Sequence, residues 1–179
     1  MVYNYYTDGA ASMKKINGEY LREAGGWAFA LVTENDKLSY EDYGRENETT
    51  NNRMELMAIL QSLTHYYAIY NSKEKNNIIN IYSDSAYCVN IYTNWIKAWE
   101  SNGWCRGKKR EPIENVELIK SIWKLIKEIE KNSNSVNFIK VKGHSNNNWN
   151  NYVDELAVKV KTGKIDDKGR HLYESCIFV

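Results

Sequence analysis

Frameworks of disulfides or zinc are the first things this sequence lacks. Its three cysteines, Cys88, Cys105 and Cys176, are odd in number and widely separated. They match neither a disulfide scaffold nor a four-ligand zinc spacing, so a reducing interior is expected. No apolar run is long enough to cross a bilayer, and the opening MVYNYYTDG lacks the hydrophobic segment of an export signal. A cytoplasmic protein without a membrane partner is expected. An excess of one charge is missing too. Against 24 Lys and Arg stand 23 Asp and Glu, a formal net charge of +1. No global basic field exists, and any contact with nucleic acid has to come from a local patch. Proline is almost absent, with a single example. Internal repeats and long linkers are absent as well.

What remains is ordinary globular material with local peculiarities. A chain of 179 residues suits one domain with at most a short appendage. Such a domain buries roughly 70% of its unfolded surface, enough for a core without staples. The segment VYNYYT reads as a strand stopping at a turn, Asp8-Gly9. After an irregular stretch, GGWAFALVT (25–33) reads as a buried strand, and Asn35-Asp36 turns the chain into a third, KLSYEDYG. Short links favour an antiparallel meander. The period then changes. Over 52–70, Met54, Met57, Ala58, Gln61 and His65 share helical faces, with Thr50, Asn51 or Asn52 as the cap. NIINIYS (77–83) is a strand ending at Asp84, followed by a helix in SAYCVNIY. Residues 93–116 form a unit of their own, with Trp95 and Trp99 on one helical face, a turn at Asn102-Gly103, then Trp104 and a cationic run. Val116, Ile119, Ile122, Trp123, Ile126 and Ile129 stripe the next helix. SVNFIKV is a fifth strand, and 150–161 a last helix. Strands followed by strand–helix alternation imply one mixed sheet flanked by helices, an α/β fold.

Four acids recur at the junctions of these elements. Asp8 ends the first strand and Asp84 the fourth; Glu55 lies near the start of the long helix and Asp154 in the first turns of the last. Strand ends and neighbouring helix starts gather at one edge of an α/β sheet, which permits these acids to meet without requiring it. Each also has an ordinary reading: a turn for Asp8, a pair with Arg53 or a lysine for Glu55, a cap for Asp84, a first-turn acid for Asp154. If they do meet, four anions repel one another unless cations neutralise them. Oxygen-only ligands point to Mg²⁺ or Mn²⁺, and two such ions ~3.5–4 Å apart suit an in-line phosphoryl displacement. The stretch VKGHSNNNWNNYVDELA fits the same idea, because it sets His144 and Asp154 on either side of a costly polar loop.

The motifs YTDG, TTNNRMEL, IYSDSAY, WIKAWESNGW and VKGH…NNYVDELA, in this order over about residues 3 to 160, resemble the type 1 ribonuclease H family, the bacterial ribonuclease HI group. The resemblance implies a five-stranded mixed sheet whose first three strands are antiparallel and whose first, fourth and fifth are parallel. The implied activity is endonucleolytic cleavage of RNA in an RNA–DNA hybrid, leaving 5′-phosphate and 3′-hydroxyl ends. By the same resemblance, Asp8, Glu55, Asp84 and Asp154 hold two Mg²⁺ ions, with Mn²⁺ as a substitute. His144 assists proton transfer or product departure, and Asn150 orients it or the water network. Thr50 resembles part of a pocket for a DNA-strand phosphate, while Asn51 and Asn52 match minor-groove contacts. Trp95, Trp99 and Trp104, with Lys97, Arg106, Lys108, Lys109 and Arg110, correspond to the family's basic protrusion. Tyr87 is a further ring on the DNA side. The implied domain covers 1–162, with the protrusion at about 93–116 and a tail at 163–179, and a monomer is expected.

Departures from the pattern are equally definite. After Asp8 the family has a compact glycine-rich loop with a hybrid-contacting asparagine; here AASMKKINGEYLREAGG is longer, and Lys14, Lys15 and Arg22 are the candidates for phosphate contact. Glu48 stands where a basic residue is common, and Ala86 where a longer side chain is common. No separate hybrid-binding module is expected before Met1 or after the last helix. Three alternatives stay open on sequence: another nuclease of the wider superfamily, a ribonuclease H domain of a reverse transcriptase, and a catalytically silent hybrid-binding protein.

Overall fold

The computed structural model describes residues 1–73, 75–143 and 146–167. Its elements in chain order are β1 (Val2–Ile16), β2 (Glu19–Val32), β3 (Leu38–Glu46), α1 (Asn51–Ile69), β4 (Ile78–Ser83), α2 (Ala86–Asn90), a π-helical turn (Ile91–Trp95), α3 (Ile96–Ser101), the two short strands β5 (Cys105–Arg106) and β6 (Glu111–Pro112), α4 (Val116–Glu130), β7 (Ser135–Lys140) and α5 (Asn148–Lys161). The main sheet has five strands in the order β3-β2-β1-β4-β7. β1, β2 and β3 are antiparallel, whereas β1, β4 and β7 are parallel. This is the expected mixed sheet.

Both faces are covered. On one lie α1 and α4, packed on Tyr3, Tyr5, Phe29, Leu31, Ile79 and Ile81 of the sheet. α4 buries Leu118, Ile119, Ile122, Leu125, Ile126 and Ile129; of the stripe read from its sequence Val116 and Trp123 are only half-buried, and Leu118 and Leu125 are buried instead. At roughly 1.5–3 kcal/mol for each fully buried aliphatic side chain, that stripe is a main anchor of the layer. α1 lies between the sheet and α4, and every residue from Met54 to Tyr66 is buried. Its pattern is therefore buried all round rather than one-sided. The other face carries α5, where Ala28 and Ala30 of β2 meet Val153 and Ala157. Small residues on both sides let the helix sit close.

β1 differs from expectation. Asp8-Gly9 is not a turn, because Asp8 pairs with Ala28 and Gly9 with Trp27 in a ladder that continues to Ile16↔Glu19. The reversal falls at Asn17-Gly18, where φ is 50° and 85°. Asn-Gly adopts this left-handed pair cheaply, and a two-residue turn of that kind matches the twist of a hairpin. The stretch taken as irregular is thus a long β-hairpin arm, with a register shift between Ala11 and Met13 at its base.

Candidate active site

The central strand supplies the first acid. Thr7 of β1 pairs in parallel register with Ser83 of β4, so the next residues, Asp8 and Asp84, emerge side by side where that ladder ends, Asp84 just past the carboxyl end of β4 and Asp8 within β1. Glu55 arrives from α1. That helix starts where the Thr50 hydroxyl accepts the Arg53 N–H at 3.3 Å, and the Arg53 guanidinium donates to both Glu46 oxygens at 2.7 and 3.1 Å. Cap and ion pair together fix the helix start against β3. Gly9 admits it: a Cβ there would stand 2.3 Å from the Glu55 amide nitrogen. The result is a cluster in which Asp8, Glu55 and Asp84 each offer a carboxylate oxygen within 4.8 Å of the others.

Burial makes this cluster unstable as a set of bare anions. Asp8 is 4% and Glu55 8% exposed, and Asp84 is half-buried. Burial first, and then the charge of Asp84, push the Asp8 carboxyl up to about 7. Glu55 is raised well above the usual carboxylate range, again by burial and then by the charge of Asp8. The Asp8 Oδ1 already accepts the Gly9 N–H at 2.7 Å. The Glu55 Oε2 is buried without a hydrogen-bond partner among the described residues. A divalent cation fits this arrangement: it supplies positive charge to converging hard oxygens and a partner for the orphaned one.

Asp154 lies outside the three-acid cluster. It is half-buried in the second turn of α5, yet its charge reaches Asp8 and adds to the upward shift there. His144 is outside the described residues. The chain just before it runs beside the site, since a Cβ on Gly143 would come within 2.8 Å of Asp84 Oδ2. Asn150, in the first turn of α5, is 2% exposed, and its Oδ1 has no hydrogen-bond partner among the described residues.

The flanking residues sort by burial. Thr50 is the helix cap; Asn51 is exposed and accepts the Ala11 N–H at 2.5 Å, and Asn52 is half-buried. Tyr87, Trp95 and Trp99 make a row of rings, with centroids 6.0 and 5.6 Å apart. Trp95 is 37% exposed, whereas Trp99 is 9% exposed and belongs to the core. Trp104 is half-buried in the left-handed region (φ 61°), with the Lys120 ammonium 5.3 Å from its ring centroid. Lys108, Lys109 and Arg110 occupy the exposed turn between β5 and β6, and Lys97 and Arg106 are exposed too. Glu48 is exposed just ahead of the cap.

Comparison with known proteins bears on the same span. The family model described as RNase H matches residues 2–162. The chain belongs to the ribonuclease H family. Ribonuclease H of a Thermoanaerobacter species is 39% identical over 159 residues, 88% of each chain. Ribonuclease H of Prosthecochloris aestuarii is 42% identical over 153 residues, 85% of this chain and 90% of the other. Among solved structures, the fold is similar to LC9-RNase H1, a type 1 RNase H with the type 2 active-site motif, at a TM-score of 0.68 and 23% identity over 97% of this chain and 79% of that one. It is also similar to a foamy viral protease-reverse transcriptase solved with an RNA/DNA hybrid, at a TM-score of 0.69 and 17% identity, covering 90% of this chain but 20% of the viral one.

Two features of this ribonuclease H were missed on sequence. Cys88 lies beneath the acids, where burial and then the charge of Glu55 push its thiol up to about 12. It stays a neutral apolar neighbour, and residue order gave no sign of that. The hairpin arm was legible in principle, because Asn-Gly between alternating residues is a hairpin signal. The expectation of a loop obscured it.

Proposed function

We propose that this ribonuclease H hydrolyses the RNA strand of RNA–DNA hybrids endonucleolytically, leaving 5′-phosphate and 3′-hydroxyl ends. The convergence of Asp8, Glu55 and Asp84 within 4.8 Å carries the reading. In it, Asp8, Glu55, Asp84 and Asp154 would hold two Mg²⁺ ions, with Mn²⁺ as a substitute. When bound, such cations activate water and stabilise charge on the leaving oxygen.

The chain's own residues do the rest. The Gly9 amide and the capped start of α1 hold Asp8 and Glu55 in place before substrate arrives. Glu55 accepts a hydrogen bond from a ribose 2′-hydroxyl, the group that separates RNA from DNA. His144 moves a proton at the water or the departing oxygen, and Asn150 orients it; the buried Asn150 Oδ1, without a hydrogen-bond partner among the described residues, supports that role. Asn51 and Asn52 touch the minor groove through amides that leave sequence largely unread. Thr50 meets a DNA-strand phosphate, with Glu48 as a nearby anion that limits its grip. Tyr87 and Trp95, with Trp99 and Trp104 behind them, pack on deoxyribose, and Lys108, Lys109 and Arg110 meet backbone phosphates. The protein acts as a monomer in the cytoplasm; among the described residues no helix is long and apolar enough to cross a membrane.

Cleavage of a defined hybrid, of duplex DNA and of duplex RNA with Mg²⁺ tests the reading. RNA-strand cuts in the hybrid alone are expected, with near-complete loss in Asp8→Asn, because a neutral amide cannot replace an anionic metal ligand. Binding of the hybrid without hydrolysis by the wild type would overturn it.

A further inference from the structure

The arm beyond Ala11 has no core of its own to serve. β1 and β2 run on as a two-stranded ribbon for five residues past Ala11, about 17 Å at strand rise. Tyr20 is 67% and Met13 64% exposed at its surface. A lone ribbon of this kind is marginal in water, and this one is fastened by hydrogen bonds at its base. There the Ala11 N–H binds Asn51 Oδ1 on the α1 side, and Lys161 Nζ donates to the Ser12 hydroxyl at 2.8 Å on the α5 side.

Register sorts the arm into two faces. Met13 pairs with Arg22 and Lys15 with Tyr20, so these four side chains share one face; Lys14, Ile16, Glu19 and Leu21 share the other. Two observations fix where the first face turns. Met13 lines a hollow of about 150 Å³ with Thr49, Thr50 and Asn51. Arg22 stands 3.8 Å from Glu114, next to the basic protrusion. This face thus continues the surface formed by the start of α1 and the protrusion. It carries two cations and no acid, and the Lys15 ammonium lies 5.3 Å from the Tyr20 ring centroid. On the opposite face Glu19 offsets Lys14.

We infer that this hairpin is an additional substrate arm, gripping the phosphodiester backbone of the hybrid beyond the catalytic cluster through Lys15, Tyr20 and Arg22. The inference rests on the hybrid-cleaving reading above and extends its footprint. Charge complementarity and continuity with the active-site face identify the occupant. Arg22 keeps donors for a phosphate, since its contact with Glu114 is long and both side chains are more than half exposed. Adjacent lysines have opposite fates: Lys15 faces the duplex, and Lys14 does not.

Hybrid binding measured across a salt series, with every protein in an Asp8→Asn background, tests this. Each lost phosphate contact lowers the slope of log K against log salt by about 0.9, and two lost contacts weaken low-salt binding about tenfold or more. Lys15→Ala and the triple variant Lys15→Ala/Tyr20→Ser/Arg22→Ala should show these losses on a long hybrid, and Lys14→Ala should match the parent. In the catalytic wild-type background, a hybrid too short to reach the arm should be cleaved equally by all. An unchanged slope in Lys15→Ala, or an equal effect of Lys14→Ala, would overturn the arm. Single substitutions at these exposed lysines keep the comparison valid if the triple variant fails to fold. The two readings fail separately. A wild type that binds in an arm-dependent way but does not cut loses the hydrolysis proposal and keeps the arm; one that cuts with no dependence on the arm does the reverse.

Discussion

Neutralising Asp8 should stabilise the metal-free protein even as it abolishes cleavage. Burial and the Asp84 charge move this carboxyl from an ordinary 3.8 to about 7. Each unit is worth about 1.4 kcal/mol, so ionising Asp8 in the folded state costs about 4 kcal/mol relative to the unfolded chain. Because the folded form holds its proton more tightly, it binds more protons than the unfolded chain between about pH 4 and pH 7. Stability from this group is therefore complete below pH 4 and is lost as pH rises through 7. The side-chain amide introduced by Asp8→Asn would keep an oxygen for the Gly9 N–H, which Asp8 Oδ1 now accepts at 2.7 Å, and would carry no charge. Glu55 shares the cluster and ionises more readily once position 8 is neutral. The net gain of Asp8→Asn in chelator near pH 8 is then about 2–4 kcal/mol.

Urea unfolding followed by tryptophan fluorescence measures this directly. With a slope of about 2 kcal/mol per molar urea, the midpoint should rise by about 1–2 M near pH 8 and by well under half of that near pH 4. Saturating Mg²⁺ should close the gap, since a cation that binds only the native wild type adds about 2.7 kcal/mol at a hundredfold excess over its Kd. An Asp8→Asn variant no more stable than wild type in chelator at pH 8, or one whose advantage is the same at both pH values, would refute the reasoning.

Two other substitutions separate structure from function. Trp99→Ala should cost about 3–5 kcal/mol of stability because its ring lies in the core, while Trp95→Ala at 37% exposure should cost under about 1 kcal/mol. Trp95→Ala should nevertheless weaken hybrid binding severalfold, measurable by fluorescence titration alongside thermal melts. His65 is 4% exposed, bonded through Nδ1 to the Tyr5 hydroxyl at 2.8 Å and stacked on Tyr40, and burial lowers it to about 4. A group depressed in this way stays neutral in the folded state, so stability falls as pH drops from about 6.5 to 4, by about 3 kcal/mol in all. His65→Gln should flatten that decline in a urea series across pH, and an unchanged decline would exclude His65 as its source.

How far the sequence could be read depended on which forces set each element. α4 was legible because its apolar stripe faces one layer and repeats with the helical period. α1 was legible in extent but not in burial, since a helix enclosed by sheet and α4 loses its polar side. The acids were legible as candidates, because strand ends and helix starts are local signals. Their convergence was not, because it needs the parallel register of β1 and β4 and the close approach at Gly9. Neither leaves a mark within a few residues. The hairpin arm failed for the opposite reason: Asn17-Gly18 was a clear local signal, but Asp8-Gly9 offered an earlier turn that pairing with β2 overrode.

That override explains how such a costly cluster is tolerated. Asp8 sits on the central strand, one residue past the last β1–β4 pair and still paired with Ala28 of β2, so its backbone is held by a ladder rather than by a loop. A carboxylate on a loop would swing into water and relieve its repulsion. One on the central strand, with the start of α1 pressed against Gly9, has much less freedom to move. The about 4 kcal/mol of strain is then retained by the fold instead of being lost to rearrangement, and a cation relieves it on binding. A substitution that loosens this frame, such as Gly9→Ala with its 2.3 Å clash against the Glu55 amide, would weaken cation binding while leaving all the acids in the sequence.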